Sequence, residues 1–181
     1  MEMLHLHQHR RKRYLAHHHP RGVRAHPSFC RIILAVYEPD LQCPKYMPAG
    51  SYYLNLNWDV KRIAYEDTLD HAPPYIIYLD HENHEIVIAI RRLNLVKESD
   101  YKLLLNNRLG MQMFDGGYVH YGLLKSAIWV LNNESETLKK LWQENGKEYK
   151  MVFAGHSLGS RVGALLTVIV VNHRNELLGI P

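Results

Sequence analysis

A chain of 181 residues can build one domain with a sizeable core, and 46% hydrophobic with 22% charged residues excludes a disordered or fibrous composition. The formal charge of +4 belongs to one end: residues 1–28 carry six Lys/Arg against Glu2, and the remainder carries 16 basic against 17 acidic residues. That argues against a body built on a basic nucleic-acid surface; Cys30 and Cys43 form neither a C-x-x-C pair nor a zinc spacing, and neither metal nor cofactor is expected.

Residues 1–28 hold seven of the 13 histidines, including His5, His7, His9 and His17 to His19, among Arg10, Arg11, Lys12 and Arg13. This composition predicts a solvated, disordered tail, with anionic-membrane or nucleic-acid binding through its arginines ranked last. Leu4, Leu6 and Leu15 are separated by His and Arg, so there is no apolar signal core. No apolar run approaches the ~20 residues that span a bilayer. A cytoplasmic or peripheral-membrane location is the expectation, and two isolated cysteines fit a reducing compartment.

The body, 29–181, is expected to be a single unit. Cys30 to Tyr37 is an apolar segment whose length fits either a helix or a strand. Pro39, Pro44, Pro48 and Gly50 mark a turn-rich connection, and Trp58 to Tyr65 reads as a short strand or extended segment. Tyr75 to Asp80 and Glu85 to Ile90 flank four residues, His81 to His84, which predicts a β-hairpin. Arg91-Arg92-Leu93-Asn94-Leu95 is the loop after its second strand. A helix is predicted over Ser99 to Leu109, with Ser99 or Asp100 as N-cap, and a loop over Gly110 to Gly117. A long amphipathic helix follows, with Leu123, Leu124, Ala127, Ile128, Leu131, Leu138 and Leu141 inward. Glu134, Glu136, Lys139 and Lys140 form its wet side, and Asn145-Gly146 closes it.

The stretch from Tyr149 to His173 organises the rest. A short apolar run, Met151 to Ala154, meets Gly155-His156-Ser157-Leu158-Gly159 and then a longer apolar run from Val162 to Val171. The bare G-x-S-x-G spacing would arise by accident about 0.06 times in a chain of this length at average composition. What gives it weight is the strand before it and the helix after it. In that context it is a nucleophile elbow: a cramped strand-to-helix turn that lifts Ser157 over the strand end, beside the free N–H groups of a helix N-terminus.

The hairpin, the arginine loop, Val119-His120-Tyr121-Gly122 and the G-H-S-L-G elbow, in that order, resemble the class three, fungal-lipase-like α/β-hydrolases. Ala72 to Tyr75, Tyr78 to His81, Leu93 to Leu95, Glu98 to Tyr101 and Phe114 to His120 are similar to stretches of the plant branch related to diacylglycerol lipases. The resemblance implies the N-terminal part of an α/β-hydrolase fold, an incomplete, mostly parallel sheet with flanking helices. It also implies a serine acyl hydrolase acting on lipid esters, with contact to lipid surfaces; calmodulin binding enters by resemblance alone.

Carried over by position, Ser157 attacks the ester carbonyl, the backbone N–H groups of Leu158 and Leu93 form the oxyanion hole, and Gly155, His156 and Gly159 shape the elbow. His120 reads as a packed, hydrogen-bonded histidine. Two positions depart from the family pattern: Arg92 stands where glycine is usual, and Arg161 where a small residue is usual. The family's Asp and His follow the serine in that order, yet the 24 residues after Ser157 hold His173 and no Asp. The chain is therefore expected to be inactive or weakly active alone, and a non-catalytic truncated hydrolase or binding module is the competing reading.

Overall fold

The structure, a computed structural model, describes residues 27–47, 51–106, 112–146 and 148–178; the expected tail falls almost entirely outside them. The segment left open between helix and strand is helical: α1 spans Pro27–Ala35, with proline in the first turn, where its missing N–H costs nothing. A single 3-10 turn at Leu56–Trp58 leads into strand β1, Asp59–Ile63, and the one-turn helix α2, Tyr65–Thr68. The expected hairpin forms as β2, Tyr75–Asp80, and β3, Glu85–Ile90. Helix α3 covers Glu98–Leu105, and a small ribbon follows, β4 Gln112–Phe114 with β5 Gly117–Val119. The long helix α4, Tyr121–Asn145, then β6, Lys150–Gly155, and α5, Leu158–Leu178, complete the described chain.

The main sheet has the order β1-β2-β3-β6. Expected as mostly parallel, it is mixed: β1/β2 and β2/β3 pair antiparallel, and only β3/β6 pairs parallel. Connection length is the reason. Four residues join β2 to β3 and can only reverse the chain, whereas the stretch from β3 to β6 includes α4 and is long enough to cross over.

Both faces of the sheet are covered, which is why β2 and β3 read as unbroken apolar runs. Tyr75, Ile77, Leu79, Ile86, Ile88 and Ile90 belong to the core shared with α4 and α5; Ile76, Tyr78, Val87 and Ala89 belong to a second core against Ile32 and Ala35 of α1 and Val36 just after it. This alternation is the two-residue period of a strand buried on both sides.

Three local expectations are corrected. Glu134, assigned to the wet side of α4, is 1% exposed and accepts hydrogen bonds from Lys61 Nζ at 2.7 Å and from the Tyr75 hydroxyl at 2.7 Å. A carboxylate can be buried there because β1 and β2 bring a cation and a hydroxyl to it. The position before α3 is Lys97, with no side-chain cap. Asp100, 1% exposed, instead uses Oδ2 to accept the Asn94 N–H and the Tyr65 hydroxyl, holding the arginine loop closed. The expected loop at 110–117 contains most of the β4–β5 hairpin. Asp115 at φ 48° and Gly116 at φ 72° supply the two left-handed residues that a tight hairpin turn demands.

Helix α5 keeps Val162, Leu166, Ile169 and Val170 buried but leaves Val168 and Val171 exposed, so its apolar circumference is covered on one side only. Among the described residues no helix is long and apolar enough to cross a membrane.

Candidate active site

Ile90 and Gly155 are register partners at the ends of β3 and β6, and the His156 N–H donates to the Ile90 carbonyl at 3.1 Å. One residue later the backbone leaves the strand. Ser157 sits at φ 54°, in the left-handed region that side chains other than glycine, Asn and Asp rarely enter. The turn closes with Gly159 N–H on the His156 carbonyl at 3.0 Å and Ser160 N–H on the Ser157 carbonyl at 3.1 Å. Ser157 is exposed, and Leu158 begins α5 directly behind it. The Leu158 N–H is one of the four donors that a helix cannot satisfy from within. A strained backbone at a reactive side chain is a recurrent mark of functional sites.

Both elbow glycines are required by space, with no positive φ involved. A Cβ on Gly155 would stand 2.5 Å from the Gly159 carbonyl carbon. A Cβ on Gly159 would stand 2.8 Å from the Ile90 carbonyl oxygen and closer still to that of Arg91. The first turn of α5 therefore packs backbone against backbone on the end of β3. That contact brings the arginine loop to the elbow.

Arg92, which replaces the usual glycine, holds no left-handed conformation, so the loop follows its course without the freedom of glycine. Its N–H donates to the Tyr37 hydroxyl at 3.1 Å, and the same hydroxyl is hydrogen-bonded to His156 Nδ1 at 2.7 Å. Tyr37, just after α1, thus ties the arginine loop to the residue before Ser157. Leu93 follows with its side chain in the main core. Arg161, the second departure, is exposed.

His120 lies at the N-cap of α4. Nδ1 accepts the Leu123 N–H at 3.3 Å and Nε2 faces the Leu104 carbonyl at 3.0 Å. A proton on Nε2 satisfies both contacts, so this ring joins α4 to α3. His173 is 15 positions beyond Leu158 along α5, roughly 22 Å at the helical rise, at a kink with φ −125°. It is therefore far from the serine. Among the described residues no histidine or carboxylate hydrogen-bonds to the Ser157 hydroxyl.

A cavity of about 490 Å³ opens beside the elbow, between α1, the loop after it and the arginine loop; Tyr37, Lys45, Tyr46, Arg91, Arg92 and His156 contribute to its wall. Glu38, behind that wall and 1% exposed, accepts the N–H groups of Lys45 and Tyr46 and the Tyr52 hydroxyl, each at 2.6 Å. Burial pushes its carboxyl up, but those donors and the charge of Arg62 pull harder, and it ends below the usual carboxylate range. Burial and the Glu38 carboxylate push the Tyr52 hydroxyl up. Arg91, Arg92 and His156 belong to the arginine loop and the elbow that the sequence marks, whereas Tyr37, Glu38, Lys45, Tyr46 and Tyr52 carried no motif beyond the prolines of the turn-rich connection.

The family model described as Lipase (class 3) matches residues 87–178, and the one described as Lipase 3 N-terminal region matches residues 24–55. No curated protein matches. Among solved structures the chain is similar in fold to a fungal lipase bound to an inhibitor, reported as a model for interfacial activation in lipases, with 19% identity and a TM-score of 0.56. That match covers 82% of this chain and 51% of the fungal chain.

Proposed function

Because the chain belongs to the class 3 lipase family, we propose that it hydrolyses lipid esters through Ser157, and that it lies in the plant branch related to diacylglycerol lipases. The observation that carries this reading is the left-handed Ser157, exposed at the junction of β6 and α5. In the proposed reaction the Ser157 hydroxyl adds to the ester carbonyl and loses its proton to a base. The tetrahedral oxyanion is held by the backbone N–H groups of Leu158 and Leu93, and its collapse expels the alcohol and leaves an acyl-serine for water to cleave. One such donor is worth about 2.7 to 4 kcal/mol of transition-state stabilisation. Leu95 and Val96, the latter 93% exposed, extend from the Leu93 loop and give it an apolar edge suited to a lipid surface.

The distance to His173 favours a second reading, a non-catalytic module that retains the elbow for packing. Added imidazole separates the two by supplying the base. A fluorophosphonate probe is expected to modify the chain at Ser157, faster as imidazole is raised, with no modification in Ser157→Ala. Equal modification of Ser157→Ala, or none of the wild type at any imidazole concentration, refutes the hydrolase reading and supports the other.

A further inference from the structure

The cavity beside the elbow has a one-sided charge. Lys45, Arg91 and Arg92 contribute to its wall and no Asp or Glu does; none of the three forms an ion pair among the described residues. Glu38, in the same region, has its carboxylate occupied by Tyr52 and two backbone N–H groups. Arg91 is held in place: its guanidinium lies 4.8 Å from the Tyr37 ring and 5.2 Å from the Tyr65 ring, and its Nε is buried without a hydrogen-bond partner. An arginine restrained by two aromatic rings loses less freedom when its guanidinium N–H groups meet the oxygens of a phosphate. Leu34 and Tyr46 supply apolar wall, and about 490 Å³ is within the range of small-molecule pockets. His156 lines the cavity, and its Cα is only ~3.8 Å from that of Ser157 across one peptide.

We propose that this cavity binds the phosphate of an acylated glycerol phosphate whose ester lies at Ser157, so that the chain prefers an anionic lipid to a neutral acylglycerol. This rests on the hydrolase reading above. Three cationic residues lining one cavity repel one another until an anion enters, and a phosphate dianion offers them acceptors for charge-assisted hydrogen bonds. A neutral acylglycerol leaves them unsatisfied.

The test is calorimetric binding to the full chain carrying Ser157→Ala, which prevents turnover. The ligands are dihexanoyl phosphatidate, dihexanoylglycerol and inorganic phosphate, the lipids kept monomeric. Phosphatidate is expected to bind at least about tenfold more tightly than dihexanoylglycerol, and Lys45→Ala with Arg92→Ala should weaken phosphatidate about tenfold and leave the neutral lipid unchanged. Arg92→Lys should retain most of the preference. Both alanine sites are exposed, and an unchanged urea midpoint confirms that folding is intact. Equal binding of the two lipids, or phosphatidate binding unmoved by the double substitution, overturns the proposal. Inorganic phosphate binding as tightly as phosphatidate also overturns it, in favour of a free-phosphate site. Fluorophosphonate labelling of Ser157 without a phosphatidate preference removes the anion site alone. A charge-dependent preference with Ser157 unlabelled removes the hydrolase reading and leaves the charged cavity.

Discussion

Replacing Gly159 by alanine tests whether the elbow is built on backbone contact. The new methyl would stand 2.8 Å from the Ile90 carbonyl oxygen and nearer to that of Arg91, against the ~3.5 Å or more of an unstrained contact. Neither obstacle is the end of a flexible side chain, so relief requires α5 to lift away from β3. Overpacking of this kind costs about 1 to 3 kcal/mol, and with backbone on both sides the upper end applies. Gly163, one turn further along α5, is the internal control. Its Cβ would lie 3.5 Å from the Phe153 carbonyl oxygen, an ordinary contact, and alanine in a helix interior is favoured over glycine by about 0.5 to 1 kcal/mol. Urea unfolding followed by the fluorescence of Trp58, Trp129 and Trp142 reads both. At a slope near 2 kcal/mol per molar, Gly159→Ala should lower the midpoint by about 1.5 M and Gly163→Ala should raise it by about 0.3 to 0.5 M. If Gly159→Ala unfolds with the wild type, or the two variants lose stability together, the close approach of α5 to β3 is wrong.

The strain at Ser157 gives a second prediction: at φ 54° glycine fits better than alanine. Ser157→Gly should therefore exceed Ser157→Ala in stability by about 1 kcal/mol by urea unfolding, although both lack the hydroxyl; an equal or reversed order would place residue 157 in ordinary backbone. The third concerns pH. Glu38 titrates below its ordinary 4.5 in the folded chain, so the unfolded chain binds the proton more readily. Its stabilisation is complete above the unfolded value and is lost as pH falls through the folded one. Midpoints measured between pH 6 and pH 3 should fall more steeply for the wild type than for Glu38→Gln, and parallel slopes would remove Glu38 as an anchor of the 38–52 loop.

Some of this molecule was legible residue by residue. The β2–β3 hairpin was written in two apolar hexads around four polar residues, and the elbow in two glycines that leave no room for side chains. Local geometry alone dictates both. The β4–β5 hairpin was equally local, in Asp115-Gly116, but its three-residue strands carry too little apolar pattern to stand out from a loop. Glu134 shows the opposite limit: a charged residue on an amphipathic helix is solvated unless another part of the chain brings it partners, and Lys61 and Tyr75 lie 73 and 59 positions away.

The same division runs through the region of the candidate site. Sequence by itself determined the nucleophile candidate, the strand and helix that present it, and the family, because each depends on neighbours within a few residues. Only the tertiary structure decided that the sheet is mixed, that Asp100 holds the arginine loop, that Tyr37 joins that loop to His156, and that Lys45, Arg91 and Arg92 line one cavity. Those are contacts between distant segments. Their partners are chosen by how α1 and α5 pack on the ends of β3 and β6, and no local pattern of residues encodes that choice.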